Sequence, residues 1–280
     1  MTVVPPPHVL DLFAVPADVQ PLEGGQGGSV RAGDLVLSPG RDPEGAVWLN
    51  PLLARLAVEL DERPGLRRGL RVAMPIPARD GSWVVEGWGA SRWEPGTTIC
   101  DDASVVVATG RLLHAELAVA VPVRPAGLER REDRWALAER LAFGEDDCVR
   151  EAVHDHPARE LVERLVLARS RAAHAELGDD QLVHADLAGN VLLDPAGSPV
   201  VIDVAPAWRP ALWAEAVCRL DLAVRGPGGR DVHRHLDDLS EDARGRSALA
   251  RAALFRLLSD RPVDPAGYER ALAPLLGTVS

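Results

Sequence analysis

The hydrophobic pattern changes its period at Pro95-Gly96, and few folds accommodate such a change. Upstream, short runs of β-type residues alternate with turn signals. Downstream, apolar residues recur at helical spacing over most of the chain. A strand buries every second residue and a helix buries one stripe, so the two halves need different packing partners. The expectation is an α+β fold of two lobes. A small antiparallel β lobe would cover residues 1–96 and a larger, mainly helical lobe residues 97–280.

In the first half, His8 to Phe13 reads as a short helix after the stiff Pro5-Pro6-Pro7 start. Leu22 to Arg31 is glycine-rich, Ala32-Gly33-Asp34 is a turn signal and Leu35 to Leu37 is a short β run, which together predict a hairpin with a glycine-rich tip. Glu44 to Leu60 carries Val47, Trp48, Leu52, Leu53, Leu56 and Leu60 near the helical period, and Pro64-Gly65 stops it. Leu70 to Ile76 and Trp83 to Trp93 read as strands flanking an Asp80-Gly81 hairpin signal. In the second half, helices are predicted at Ala103 to Leu117, Asp133 to Leu141, Glu160 to Leu177, Ala211 to Ala223, 247–258 and 268–276. A β-type pair, Gln181 to Val183 and Val191 to Leu193, then Val200 to Ile202, interrupts them, and Gly226 to Gly229 marks a loop. A cleft between two such lobes is a natural ligand site.

The chain has 280 residues, 46% hydrophobic and 26% charged, an ordinary globular composition. All 31 basic residues are arginine, so any mechanism that needs a lysine amine is closed to it. The net charge of −11 disfavours nucleic acid and anionic membranes as partners and mildly favours a cationic small molecule, although solubility explains it equally well. Cys100, Cys148 and Cys218 show no metal-binding spacing and read as free thiols of a reducing cytosol. No signal peptide opens the chain and no apolar run reaches roughly 18 residues, so a cytoplasmic protein without a membrane span is expected.

The segment that carries chemistry is Val183-His184-Ala185-Asp186-Leu187-Ala188-Gly189-Asn190-Val191-Leu192-Leu193, with Val201-Ile202-Asp203 following. Phosphoryl transfer needs one carboxylate to orient a hydroxyl, and an amide oxygen with a second carboxylate to hold Mg²⁺. Asp186 fits the first role; Asn190 and Asp203 fit the second. A lone H-x-D is common, and His184, behind Val183, reads as a buried scaffold for the loop. Asp221 reads as a bracing carboxylate.

This segment resembles the H-G-D-x-x-x-x-N motif, with I-D after it, of aminoglycoside phosphotransferases and choline-kinase-like enzymes. It is compressed by one residue between Asp186 and Asn190, and Ala185 stands for the usual glycine. Trp208-Arg209-Pro210 and Asp221-Leu222-Ala223 fit the helical segment that follows in that superfamily. More narrowly, Gly33 to Leu37, Arg92 to Gly96, Gly110-Arg111, His114-Ala115 and Trp135 resemble an actinobacterial group within it. The resemblance implies a protein-kinase-like two-lobe fold and a phosphotransferase that uses ATP or GTP with Mg²⁺ on a hydroxyl of a small-molecule acceptor.

It also implies a nucleotide site. Gly24, Gly25, Gly27 and Gly28 would bring backbone N–H groups to the phosphates, although any tight hairpin uses such glycines. Val36 would roof the adenine, and the backbone of Arg92, Trp93 and Glu94 would read it. Ser38 stands where the superfamily places the lysine that binds the α- and β-phosphates. Arg31 and Arg41 are candidate substitutes; the plain reading of both is a solvated surface arginine. Glu44 and Glu59, the glutamates of the predicted helix, make no clear partner for such a cation. The missing lysine motivates a second reading, a catalytically impaired kinase-like protein that binds a nucleotide or metabolite. A protein kinase is disfavoured, because Val204-Ala205-Pro206 follows Asp203 in place of D-F-G continuation and no A-P-E segment appears.

Overall fold

The computed structural model describes residues 4–22, 28–63, 69–172, 174–225, 234–260 and 264–276. In chain order the elements are α1 (Pro7–Leu12), β1 (Val19–Pro21), β2 (Val30–Ala32), β3 (Leu35–Ser38), α2 (Pro43–Glu62), β4 (Arg71–Val72), β5 (Pro75–Ile76), β6 (Val84–Val85), β7 (Trp88–Arg92) and β8 (Thr98–Ile99). They continue with α3 (Ala103–Ala120), α4 (Ala126–Glu129), α5 (Arg134–Phe143), α6 (Asp146–Ala152), α7 (Arg159–Arg171), β9 (Asp180–His184), β10 (Val191–Leu193), β11 (Pro199–Val201) and β12 (Pro206–Pro210). The chain closes with α8 (Ala211–Arg225), α9 (Arg234–Glu241), α10 (Ala243–Ser259), α11 (Pro265–Ala271) and α12 (Ala273–Leu276). Packing groups these into two compact units: 1–100 with 125–129 and 189–204, and 101–124 with 130–188 and 205–280.

The first unit is built on an antiparallel sheet in the order β1-β2-β3-β7-β5, with β6 also paired to β7. Val30, Ala32, Leu37, Trp88 and Ala90 alternate onto one face and bury against Val9, Leu10 and Phe13 from α1. Beside it α2 starts on an Asp42 cap, whose carboxylate accepts the N–H groups of Glu44 and Gly45, with Pro43 in the first turn. Its buried stripe is Ala46, Leu49, Leu53, Leu56, Ala57 and Leu60; of the residues read as the stripe, Leu53, Leu56 and Leu60 are buried, Trp48 and Leu52 are half-buried and Val47 is exposed.

The predicted strand over Trp83 to Trp93 is instead the two-strand hairpin β6–β7. Glu86 and Gly87 both take positive φ, 47° and 79°, the signature of a type I′ turn, and Glu-Gly lacks the usual Asn-Gly signal for one. The predicted strand Leu70 to Ile76 divides between two sheets: β5 joins β7, while β4 runs parallel to β11 in a second sheet ordered β4-β11-β10-β8. Asp80-Gly81 does turn, closing Ala78 N–H onto Ser82 O, but the strands on either side both pair with β7.

In the second unit α10 is the central element, packing against α5, α7, α8 and α9. A core this poor in aromatics relies on Leu, Val and Ala, with one aromatic focus. Trp213 of α8 is fully buried and meets Phe143 and Phe255 edge-on, at centroid distances of 5.6 and 5.3 Å. Three expectations are corrected here. Trp208-Arg209-Pro210 is strand, not helix: β12 pairs antiparallel with β9, and a lone five-residue run bounded by prolines gives too little periodicity to identify it. α7 stops at Arg171, short of Leu177. α3, at 18 residues and mean hydropathy 1.3, is long and apolar enough by composition to cross a bilayer, contrary to the expectation that no segment is. Here it packs against β9 and α8, burying Val106, Leu113, His114 and Leu117.

Truncating Trp213 to Ala would leave a large cavity between two rings. The expected loss is about 3–5 kcal/mol of unfolding free energy, measured by urea titration, and a loss below about 1 kcal/mol would refute this account of the core.

Candidate functional site

β9 ends in Val183 and His184, both fully buried. The His184 ring then anchors the loop that follows. Its Nδ1 accepts the N–H of Asp186 at 3.1 Å and of Ala205 at 3.3 Å, so this nitrogen carries no proton. Ala185 N–H donates to Ala205 O at 2.9 Å. Beneath them, His184 N–H donates to His114 Nε2 of α3 at 3.2 Å. Burial, then the neighbouring His184, pushes the His114 pKa down to about 4, so His114 is the neutral acceptor this bond requires.

Asp186 is gripped from the other side by Arg256 of α10. The Arg256 Nη2 donates to Asp186 Oδ1 at 2.6 Å and to Ala185 O at 3.2 Å. Its Nε donates to Asp221 Oδ1 at 2.9 Å, and Nη2 also reaches Asp221 Oδ2. Burial alone would pull the Arg256 pKa down, but Asp221 and Asp186 outweigh it and raise the pKa instead. Asp221 therefore acts as the brace expected of it, through an arginine the sequence reading did not single out. The signal was present: Leu249, Ala252, Ala253 and Arg256 share one apolar stripe, and a charge there has to find a buried partner.

Asn190 and Asp203 belong to the first unit. Val191 pairs with Val201, and Ile202 N–H donates to Asn190 O at 2.9 Å, so Asn190 and Asp203 lie at adjacent ends of the β10–β11 ladder. Asn190 is buried, and Asp203 sits at φ 47°. The Asp203 carboxylate is ion-paired with Arg41. Arg41 is a partly exposed surface arginine, as its plain reading has it, with Asp203 as its partner. Among the described residues no cluster of three or more His, Cys, Asp or Glu side chains forms a metal site. An amide oxygen and a carboxylate nonetheless fit Mg²⁺, which takes one or two protein oxygens and completes its shell with phosphate and water.

Of the expected nucleotide contacts, Gly24, Gly25 and Gly27 lie outside the described residues. Gly28, at φ 93°, is close to Pro39: a Cβ added there would come within 3.2 Å of its Cγ. Next to it, Ser29 and Ser38 share a hydroxyl hydrogen bond of 3.0 Å, which puts Ser38 under the end of the glycine-rich hairpin. Leu37 points into the core, so Val36 and Ser38 face the other way. Arg92 N–H is taken by Met74 O and Trp93 N–H by Asp34 O, while Glu94 O accepts from Thr97. The Glu94 side chain is buried and paired with Arg71 and Arg92, and Asp61 of α2 closes that network. Arg31 stacks over the Trp93 ring at 5.0 Å.

Neither a protein-family model nor a curated protein sequence matches the chain. Solved structures do. A choline/ethanolamine kinase family protein from Mesorhizobium loti aligns over 97% of this chain and 94% of its own, with TM-score 0.55 and 17% identity. An aminoglycoside phosphotransferase from Alicyclobacillus acidocaldarius aligns over 98% and 93%, with TM-score 0.52 and 14% identity. A thermostable mutant of aminoglycoside phosphotransferase APH(4)-Ia, in a ternary complex with AMP-PNP and hygromycin B, aligns over 96% of both chains, with TM-score 0.55 and 18% identity. The fold of this chain is therefore the kinase-like α+β fold.

His114 gives the loop scaffold a pH dependence. Its pKa is depressed in the folded state, so above the ordinary histidine value of about 6.5 the neutral ring costs nothing. As pH falls from there toward 4, the unfolded chain takes up a proton that the folded one refuses, and stability drops by up to roughly 3 kcal/mol. Urea unfolding at stepped pH should show this loss, and His114→Gln should flatten it. An equal slope in the variant would mean that other groups carry it.

Proposed function

We propose that this chain is a phosphotransferase that uses ATP or GTP with Mg²⁺ and transfers the phosphoryl group to a hydroxyl of a small, cationic metabolite. The observation that carries the proposal is the Asp186 carboxylate fixed by Arg256 and by the His184 scaffold on a kinase-like fold. A carboxylate held this way accepts a hydrogen bond from an acceptor hydroxyl and aims its oxygen at the phosphorus. In a loose transition state little proton abstraction is needed, and orientation supplies most of the effect. Asn190 and Asp203 are the residues that would hold Mg²⁺, which when bound neutralises charge on the transferring phosphoryl group. Val36 would lie over the base; because the Arg92 and Trp93 N–H groups are taken by Met74 O and Asp34 O, the donor expected from Arg92 or Trp93 is corrected, and the backbone from Glu94 to Gly96 would read the base. The APH(4)-Ia structure, which holds AMP-PNP and hygromycin B, supports a nucleotide and a hydroxylated acceptor as ligands of this fold. The net charge of −11 supports a cationic acceptor.

A second reading, a kinase-like binder without turnover, draws its support from Ser38, whose hydroxyl is engaged by Ser29 and offers no charge to a phosphate. Substituting Asp186→Asn separates the two. For an enzyme, turnover across a panel of cationic hydroxylated metabolites should fall by roughly 10²- to 10⁴-fold, with ATP affinity nearly unchanged. Parallel loss of binding and turnover would make Asp186 structural, and ATP binding without turnover on any acceptor would favour the binder.

A further inference from the structure

The phosphates of a nucleotide need a cation, and this chain has no lysine to offer. Resting on the nucleotide-dependent reading above, we propose that Arg41 is the phosphate-binding side chain, delivered from the loop after β3 and not from the strand itself. Leu37, Trp88 and Ala90 are buried in the core of the first unit, so Ser38 and Gly89 lie on the opposite face of the sheet, where they pair in register. Arg41 runs across that same rung. Its N–H donates to Gly87 O at 2.9 Å, and a Cβ at Gly89 would lie 3.1 Å from the Arg41 Cγ and 3.6 Å from its Cβ. The bare Cα of Gly89 is the notch through which the arginine stem passes. At the far end of the stem the guanidinium meets Asp203.

The other candidates are accounted for. Arg31 donates its Nε–H to Gly33 O at 3.0 Å and stacks on Trp93, and Ser38 is short, uncharged and turned to Ser29. The Arg41–Asp203 pair is open to solvent, with side chains 37% and 46% exposed, so it contributes little to folding. Asp203 nonetheless occupies a left-handed backbone position, where non-glycine residues are uncommon and tend to mark function. In the ligand-free protein the two charges satisfy each other. A nucleotide with Mg²⁺ exchanges that pair for two others: phosphate takes Arg41, and the metal takes Asp203. Breaking the Arg41–Asp203 pair once would serve both ligands, so nucleotide and metal would each help the other to bind, while metal alone would have to compete with a guanidinium.

Equilibrium titrations test this with signs that a damaged fold does not reproduce. Native protein and Arg41→Gln are titrated with ATP in EDTA, and separately with Mn²⁺ alone, melting temperatures being checked in parallel. The variant should bind ATP roughly 10- to 150-fold more weakly, the worth of one charge-assisted hydrogen bond, and should bind Mn²⁺ alone more tightly. Gly89→Val touches no charge but crowds the arginine stem, and it should also weaken ATP. Equal ATP affinity in native and Arg41→Gln would overturn the role of Arg41 and leave the nucleotide-dependent reading standing. Weakening of both ligands would reduce Arg41 to a structural residue. Failure of the native protein to bind ATP or GTP would remove the role and the reading together.

Discussion

A single buried guanidinium holds the second unit in its working form. Arg256 is 2% exposed, and a charge so deep is tolerable only with opposite charge beside it. It finds Asp221 on α8 and Asp186 after β9, and adds the Ala185 carbonyl. Three elements distant in sequence are thereby fixed to one another by one planar group. Withdrawing Arg256 would leave Asp221 buried and uncompensated, a cost of about 3–5 kcal/mol. A lysine could not replace it, because a single ammonium lacks the fork that spans both carboxylates and the carbonyl. The position of Asp186 is therefore a consequence of how α10 packs, and the histidine pair His184–His114 makes it rigid from below.

How much of this was legible in the sequence follows from the physics of each element. α2, α3, α5, α8 and α10 were visible because an amphipathic stripe over three or more turns is a strong periodic signal, and Asp42, Asp102 and Asp133 cap three of them. The division of Leu70 to Ile76 into two strands, and the strand β12, were not. β4 and β5 are adjacent in sequence yet belong to different sheets, and nothing local to Arg71 to Ile76 encodes that division. β12 forms because β9 offers it an edge, and pairing is a long-range fact. At the candidate site, Asp186, Asn190 and Asp203 were singled out through spacing. Arg256, His114 and the Arg41–Asp203 pair were invisible to spacing, because each depends on contacts across 70 residues or more.

A chain without lysine has to solve electrostatic problems with a residue that is longer, planar and always charged. The consequences recur. Arg71 bridges Asp61 and Glu94 where the strand after Trp88 leaves the sheet, and Arg92 joins the same carboxylates. Such clusters suit arginine, which satisfies two carboxylates at once and loses less on partial burial than a strongly hydrated ammonium. What arginine does poorly is serve as a point charge projecting straight from a strand beneath a hairpin. Its stem carries a bulky fork that needs room on the sheet face.

That requirement accounts for features that are otherwise unconnected. Ser38 and Gly89 face each other across β3 and β7, and both are small, which leaves a shallow groove at that rung. A serine–glycine rung is poor strand material, since glycine there costs backbone entropy and neither residue contributes packing. The groove is filled by the Arg41 stem, which recovers apolar contact through its methylenes while the charged end stays in water beside Asp203. Small residues at both positions of one rung are what a stem entering from the loop after β3 needs, and a cation that arrives by that route requires no long side chain on the strand itself.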